Sequence, residues 1–533
     1  MHASRRDFLK QFGLTATSMA LAGMPLQLWG EERAVAGLLP RSQPEAQGIQ
    51  SAALLAFVKA IEAGKHNLHS VMVVRHGHVV AEGWWAPYAP QLRHTLYSLS
   101  KSFCSTAVGL AADEGKLRLD DKVTSFFPKE LPESVSPNLA AMQVKHLLMM
   151  GSGHSDDCLF SGGYSVAAKD WVRSALSRKV DHEPGTFFRY NSGATFLLSA
   201  IVETVTGEHL IDYLKPRLFA PLGIEGADWE TSPTGIATGG WGLRVRTEDI
   251  ARFGQLYLQK GMWDGKRLLS EAWVGEATSR QIDNAMGQDD AKKNTSDWAQ
   301  GYGYQFWRCR NDGYRGDGAF GQFCVVLPEQ DAVVAITSET GDMQGVLNLF
   351  WEHVLPAMKS APLAADASSA GALADKMKSL ALPLPPGEKT SPTAAAVSGK
   401  SFAIADNPLG ISKVSLNFED GRCRFAMTDG QGEHRIDCGL GQWALGQTDL
   451  PTVPLKLVPT AVPGETTSKL AAAGAWSDEK TFAMQWRFIE TAHYDTLTCR
   501  FDGDDAKFQF RRSLSVLNPT SMDSRPTLSG RIA

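Results

Sequence analysis

The 533-residue chain lacks any surplus of positive charge: 53 Lys and Arg against 58 Asp and Glu leave a formal net charge of -5. That excludes the basic field by which a protein holds nucleic acid or an anionic membrane surface. Cysteine is sparse, with seven residues at 104, 158, 309, 324, 423, 438 and 499, an odd number without the paired spacing of a metal knuckle. No His-Glu-x-x-His and no phosphate-binding loop occurs, which removes two large classes of hydrolase. The Gly-x-Ser-x-Gly elbow of the α/β-hydrolases is missing too. His154 has no second His at ligand spacing, so a loop residue near a groove is expected there instead of a metal ligand. Gly316-x-Gly318-x-x-Gly321 fits the dinucleotide pattern by letter alone, because a β-branched strand and a proline turn follow it where a helix should. No metal or cofactor is expected.

Long hydrophobic runs are also wanting. The longest candidate, 12–26, is too short and too polar for a stable membrane span. It follows Ser4-Arg5-Arg6-Asp7-Phe8-Leu9-Lys10, and twin arginines ahead of a mild apolar stretch resemble a twin-arginine export signal over 1–36. A periplasmic or secreted enzyme is expected, folded before export and without an obligatory disulfide framework.

What the chain does hold is enough apolar content, 43%, for more than one core. It is organised around Tyr97-Ser98-Leu99-Ser100-Lys101-Ser102-Phe103, which opens a helical run with Leu99, Phe103, Ala107 and Leu110 on one buried face. Ser98 and Lys101 fall a turn apart there. A serine hydroxyl needs a base to become a nucleophile, and a lysine stripped of water can serve as one. The helix N-terminus adds positive potential where an oxyanion would form. Ser-x-x-Lys alone is weak evidence, since average composition gives roughly one or two chance matches in such a length. Ser477-Asp478-Glu479-Lys480 is such a match, and its polar, strand-like setting reads as a solvated turn.

Two further stretches join the first. Tyr190-Asn191-Ser192-Gly193 precedes an apolar helix over 194–206 closed by Gly207, which could bring a phenol to a groove as a proton carrier. Gly316-Asp317-Gly318-Ala319-Phe320-Gly321-Gln322 leads into the strand Phe323-Cys324-Val325-Val326-Leu327. With these three in order, the chain resembles the serine hydrolases built like class C β-lactamases and penicillin-recognising enzymes. Ser98 and Lys101 match the first motif of that family and Tyr190-Asn191-Ser192 the second. Flanking text such as Pro184-Gly185 and Gly239-Gly240-Trp241-Gly242 matches as well. The resemblance covers roughly 54–358. It departs at Ser192, where the lactamase pattern has Asn, and at the third motif, where Asp317 or Gly318 replaces a Lys or His that holds a substrate carboxylate.

The resemblance implies an α+β fold, a β-lactamase/transpeptidase-like antiparallel sheet flanked by helices plus an all-helical region. It implies Ser98, Lys101 and Tyr190 as catalytic residues. An oxyanion and substrate site would form from Ala319, Gly318, Ser192 and Asp317, with the N–H groups of Ser98 and Ala319 as donors. Losing the third-motif cation favours an esterase, an amidase or a 6-aminohexanoate-dimer-hydrolase-like enzyme over a β-lactamase, a D-peptidase or a silent penicillin-binding-like sensor. The partner is then a small ester or amide. Asp317 is expected to be a loop residue or, if it lines the groove, to favour cationic or neutral substrates.

Domain by domain, 40–358 is expected to carry the chemistry. The Ala-, Ser- and Pro-rich stretch 359–400 reads as a linker with at most one short helix, and 401–533 as a small all-β domain, barrel or sandwich.

Overall fold

The computed structural model describes residues 39–160, 168–450, 458, 460–517 and 523–533, so the export-signal reading of 1–36 lies outside the described residues. Leu68–Arg75 (β1) and His78–Trp84 (β2) form an antiparallel hairpin. Trp307–Arg308 (β3), Tyr314–Gly318 (β4), Gln322–Leu327 (β5) and Ala332–Ser338 (β6) complete an antiparallel sheet in the order β2-β1-β6-β5-β4-β3. First and last strands therefore lie side by side, with Val71 opposite Ile336 and Val73 opposite Val334. The helices that bear on the sheet and the site are Ser51–Ala63 (α1), Ser100–Asp113 (α2), Ser192–Thr206 (α3), Thr247–Leu258 (α4) and Met343–His353 (α5).

β1 is buried along its whole length because its two-residue period serves two cores. Val71 and Val73 join Phe323, Val325, Val334 and Ile336 under α1 and α5. Met72 and Val74 join Cys324, Val326 and Val333 under α4, whose Ile250 and Phe253 face inward as its spacing predicts. This is the sheet covered on both faces that the resemblance implies.

α2 departs from its expected single buried face: Ser100 through Ala111 are all buried. Its hydroxyls make that possible, since each has a partner. Ser100 Oγ accepts from the Leu243 N–H at 3.1 Å, while Ser102 and Ser105 donate to the carbonyls of Gln305 and Tyr304 at 2.8 and 2.7 Å. Thr106 donates to the Ser102 carbonyl one turn back at 2.8 Å. An unpaired hydroxyl in such a core would cost about 1–3 kcal/mol.

The stretch 359–400 holds two helices where at most one is expected, Ala367–Lys378 and Pro392–Val397. Asp366 and Ser391 cap them, and their alanines supply the propensity that composition alone disguised as linker. Leu373, Leu380 and Leu382 anchor the segment in the core under α1.

The C-terminal strands are Lys400–Ile404 (β7), Lys413–Glu419 (β8), Arg422–Asp429 (β9), Gly432–Leu440 (β10), Ala444–Thr448 (β11) and Ser468–Asp478 (β12). Thr481–Phe488 (β13), Tyr494–Asp502 (β14), Asp505–Arg512 (β15) and Leu528–Ile532 (β16) follow. They pair in the order β10-β9-β8-β7-β16-β15-β14-β13-β12-β11. A parallel contact of Gly439 with Ala473 and Leu440 with Gly474 closes nine of them into a barrel, leaving β11 outside the ring. Phe402, Phe425, Trp476, Trp486 and Phe508 fill the interior. Gly37–Ala533 forms one compact unit, and the β13–β14 connection reaches from the barrel to the N-terminal part. There Glu490 O accepts from the Thr95 N–H and Thr491 O from the Tyr88 hydroxyl, both at 3.0 Å. Among the described residues no single helix is long and apolar enough to cross a membrane.

Candidate active site

The backbone ahead of α2 is a 3-10 turn over Tyr97–Leu99, and the α-helix begins only at Ser100. Tyr97 has φ +48°, a left-handed conformation uncommon in a bulky residue. The kink leaves Ser98 partly exposed, while Lys101, a turn on, is 1% exposed.

Lys101 Nζ donates to the Gly240 carbonyl at 2.8 Å and to Ser192 Oγ at 3.1 Å, and lies 5.0 Å from the centre of the Tyr190 ring. Burial lowers its pKa from 10.5 to about 8, against the opposing pull of Asp157, Cys104 and Asp317. A Cβ at Gly240 would sit 3.0 Å from the ammonium, so the glycine makes room for it.

Tyr190 stacks on Trp307 with ring centres 5.5 Å apart and planes 21° off parallel. Burial, with the nearby Asp317 charge, pushes the phenol well above its ordinary range, against the pull of the Ser98 side chain. It is thus a neutral group at the serine, able to carry a proton without keeping a charge.

The second motif divides its labour. Asn191 is fully buried and caps α3, its Oδ1 accepting from the N–H groups of Ala194 and Cys158, both at 3.1 Å. Ser192, at the departure from the lactamase pattern, is the residue that meets Lys101. Asp157 braces the same helix start, accepting from the Ser192 and Gly193 N–H groups, where a helix favours an anion.

On the far side β4 packs against the 3-10 turn. A Cβ at Gly318 would lie 2.0 Å from the Leu96 carbonyl oxygen, so only glycine lets the strand come this close. Ala319 follows in the turn to β5, where its carbonyl accepts from Gln322 Nε2 at 2.9 Å, and Phe320 is left-handed at φ +68°. Asp317 is a strand residue, buried, with Oδ2 2.9 Å from Arg315 Nε. Burial raises its carboxyl, while the Arg315 guanidinium favours its charged form. Its charge is matched inside the protein, which removes the ground for a preference toward cationic substrates.

Several residues of the site carried no signal in the sequence. Gly240 lies in a stretch that matches the family, but nothing local showed that it meets Lys101, and nothing local marked Asp157. Gln305 is buried, φ +67°, and accepts from the Thr195 hydroxyl at 2.7 Å while donating to the Leu148 carbonyl at 2.6 Å. It ties α2, α3 and the 144–148 helix together by contacts that only folding creates. His154 is buried against Ser152 Oγ at 2.9 Å, and burial lowers it to about 4. Among the described residues no group of His, Cys, Asp or Glu is arranged to hold a metal ion. Lys480 of the second Ser-x-x-Lys lies in the β12–β13 turn, exposed and paired with Asp502 at 2.9 Å.

The family model described as Beta-lactamase matches residues 51–349. The 6-aminohexanoate-dimer hydrolase of Paenarthrobacter ureafaciens is 29% identical over 289 residues, covering 51% of this chain and 72% of that protein. Penicillin-binding protein 4 of Amycolatopsis lactamdurans is 26% identical over 284 residues, covering 46% and 71%. The solved structure of EstCE1, a hydrolase with promiscuous acyltransferase activity, superposes with a TM-score of 0.47 at 16% identity, covering 56% of this chain and 98% of that one.

Proposed function

The chain belongs to the beta-lactamase family of serine hydrolases, and from that premise we propose that it cleaves an ester or amide bond through an acyl-enzyme on Ser98. The observation that carries the reading is a fully buried Lys101, one turn after Ser98, whose Nζ is bonded to Ser192 Oγ at 3.1 Å and lies 5.0 Å from the Tyr190 ring, with burial lowering its pKa to about 8. Lys101 and Tyr190 take the Ser98 proton as its oxygen attacks the carbonyl carbon. The N–H groups of Ser98 and Ala319 hold the oxyanion. The proton passes through Tyr190 to the leaving alcohol or amine, and water then releases the acyl group by the reverse relay. Acid-base help of this kind is worth about 10²–10⁴ in rate, and one oxyanion donor about 10²–10³.

The substrate class follows from the third motif. A β-lactam or a peptide with a free carboxylate needs a cation there, and Arg315 is already engaged by Asp317 and the Asp297 carbonyl. Neutral esters and amides make no such demand. On this reading 40–358 is the hydrolase, 359–400 the connection and 401–533 the barrel domain. The twin arginines Arg5-Arg6 direct export to the periplasm or beyond, which fractionation of cells carrying Arg5→Lys/Arg6→Lys tests.

A fluorophosphonate probe and p-nitrophenyl acetate turnover test the chemistry. Wild type is expected to label and to turn over repeatedly, and Ser98→Ala to do neither. Labelling that persists in Ser98→Ala refutes the nucleophile, and a single labelling event without turnover points to a sensor.

A further inference from the structure

We propose that His493, carried by the barrel, is a positioning residue that holds both flanks of the oxyanion site. The inference rests on the hydrolase reading above. His493 stands at the end of the β13–β14 connection and is 3% exposed. Its Nε2 is hydrogen-bonded to the Tyr97 hydroxyl, and its Nδ1 lies 2.8 Å from Glu339 Oε1. An imidazole with its proton on Nδ1 satisfies both partners, donating to the carboxylate and accepting from the phenol. The same ring meets Phe320 edge to face at 5.0 Å, and Phe320 meets Tyr97 at 5.3 Å.

These two aromatic residues bracket the proposed oxyanion donors. Tyr97 precedes Ser98 and Phe320 follows Ala319. Both hold left-handed backbone, at φ +48° and +68°. Bulky side chains keep that conformation only where surrounding contacts over-determine it. The Tyr97–Ser98 peptide carries the Ser98 N–H, so the direction of that donor depends on the torsion His493 helps to hold.

The support comes from outside the hydrolase half. The connection is fixed by the Thr95 and Tyr88 contacts already described, and the His493 N–H donates to Thr491 Oγ1 at 3.1 Å. The Glu339 end is fixed to the sheet, where the Glu339 N–H donates to the Asn67 carbonyl at 3.1 Å. Glu339, His493 and Tyr97 thus join the end of β6, the barrel and the nucleophile turn in one line. The barrel domain acquires a role in catalysis without touching substrate: docked, it holds the turn that carries the serine.

The test uses the full chain, with steady-state turnover of p-nitrophenyl acetate and the rate at which a fluorophosphonate labels Ser98. Tyr97→Phe removes one hydroxyl and leaves the ring. It is expected to lower kcat and the labelling rate about tenfold, and His493→Ala about 100-fold, with KM within about twofold of wild type, on the scale of one misplaced oxyanion donor. His493→Gln, which keeps an acceptor and a donor, is expected to recover about tenfold over His493→Ala. The role is overturned if Tyr97→Phe keeps kcat and labelling within about threefold of wild type, or if KM rises in step with the loss of kcat. Should His493→Ala fail to fold, Tyr97→Phe decides alone. Ser98→Ala separates the two readings: if it still turns over, the nucleophile is wrong whatever His493 does. If it is silent while Tyr97→Phe is unimpaired, only the positioning role falls.

Discussion

Lys101→Met puts the buried amine to a test with a sign change in it. The folded amine titrates near 8 and the unfolded one near 10.5. At 1.36 kcal/mol per pH unit that gap means the native state carries about 3 kcal/mol of strain whenever the lysine is charged. The unfolded chain binds more protons than the folded one between these two values, so wild-type stability rises with pH across that window and is flat below it. Methionine fills the same space and removes the penalty, but leaves the Gly240 carbonyl and Ser192 hydroxyl without their donor. Losing those bonds costs about 1–2 kcal/mol at every pH. The variant should therefore be more stable than wild type by about 1–2 kcal/mol at pH 7 and less stable by a similar amount near pH 10.5. Urea-unfolding midpoints of the two proteins at a series of pH values read this directly. Activity should be abolished in the variant, while wild-type kcat/KM climbs through about pH 8 as the amine becomes able to accept a proton. A Lys101→Met protein less stable than wild type at pH 7, or a difference independent of pH, would show that the amine is not held near neutrality and would refute the reasoning.

Two other substitutions probe the scaffold around that pair. Asp157→Asn removes a charge that holds the Lys101 proton and an anion from the start of α3. The rising limb of the kcat/KM profile should move to lower pH, and stability should fall by about 1 kcal/mol; an unmoved limb in a pH-rate series contradicts the electrostatic account. Gly318→Ala drives a Cβ to 2.0 Å from a backbone oxygen that cannot swing away. It should cost about 1–3 kcal/mol in a thermal melt and slow fluorophosphonate labelling of Ser98, and a variant that melts and labels like wild type would mean β4 does not brace the turn.

The order of the motifs and the hydrophobic periods were legible because they are local. Two apolar runs around the turn at 76–78 and the 3.6-residue period of 247–258 each read out an element that the fold then buried. The helix of Lys101 was legible as a helix but not as a fully buried one. Its serines look like surface residues until Leu243, Gln305 and Tyr304 arrive from more than a hundred positions away to satisfy them. The helices at 367–378 and 392–397 hid in an Ala-, Ser- and Pro-rich composition that reads equally well as linker.

By itself the sequence determined the family, the α+β fold with its all-β tail, and Ser98, Lys101 and Tyr190 as the candidates for chemistry, since each lies in a short stretch whose residue types already constrain what it can do. Only the tertiary structure decided that Ser192 meets the lysine, that Asp317 is neutralised by Arg315, and that His493 abuts the turn that carries Ser98. The physical reason is distance along the chain. A pKa, a satisfied buried polar group and a strained torsion are properties of an environment, and that environment is assembled from residues that no local pattern links.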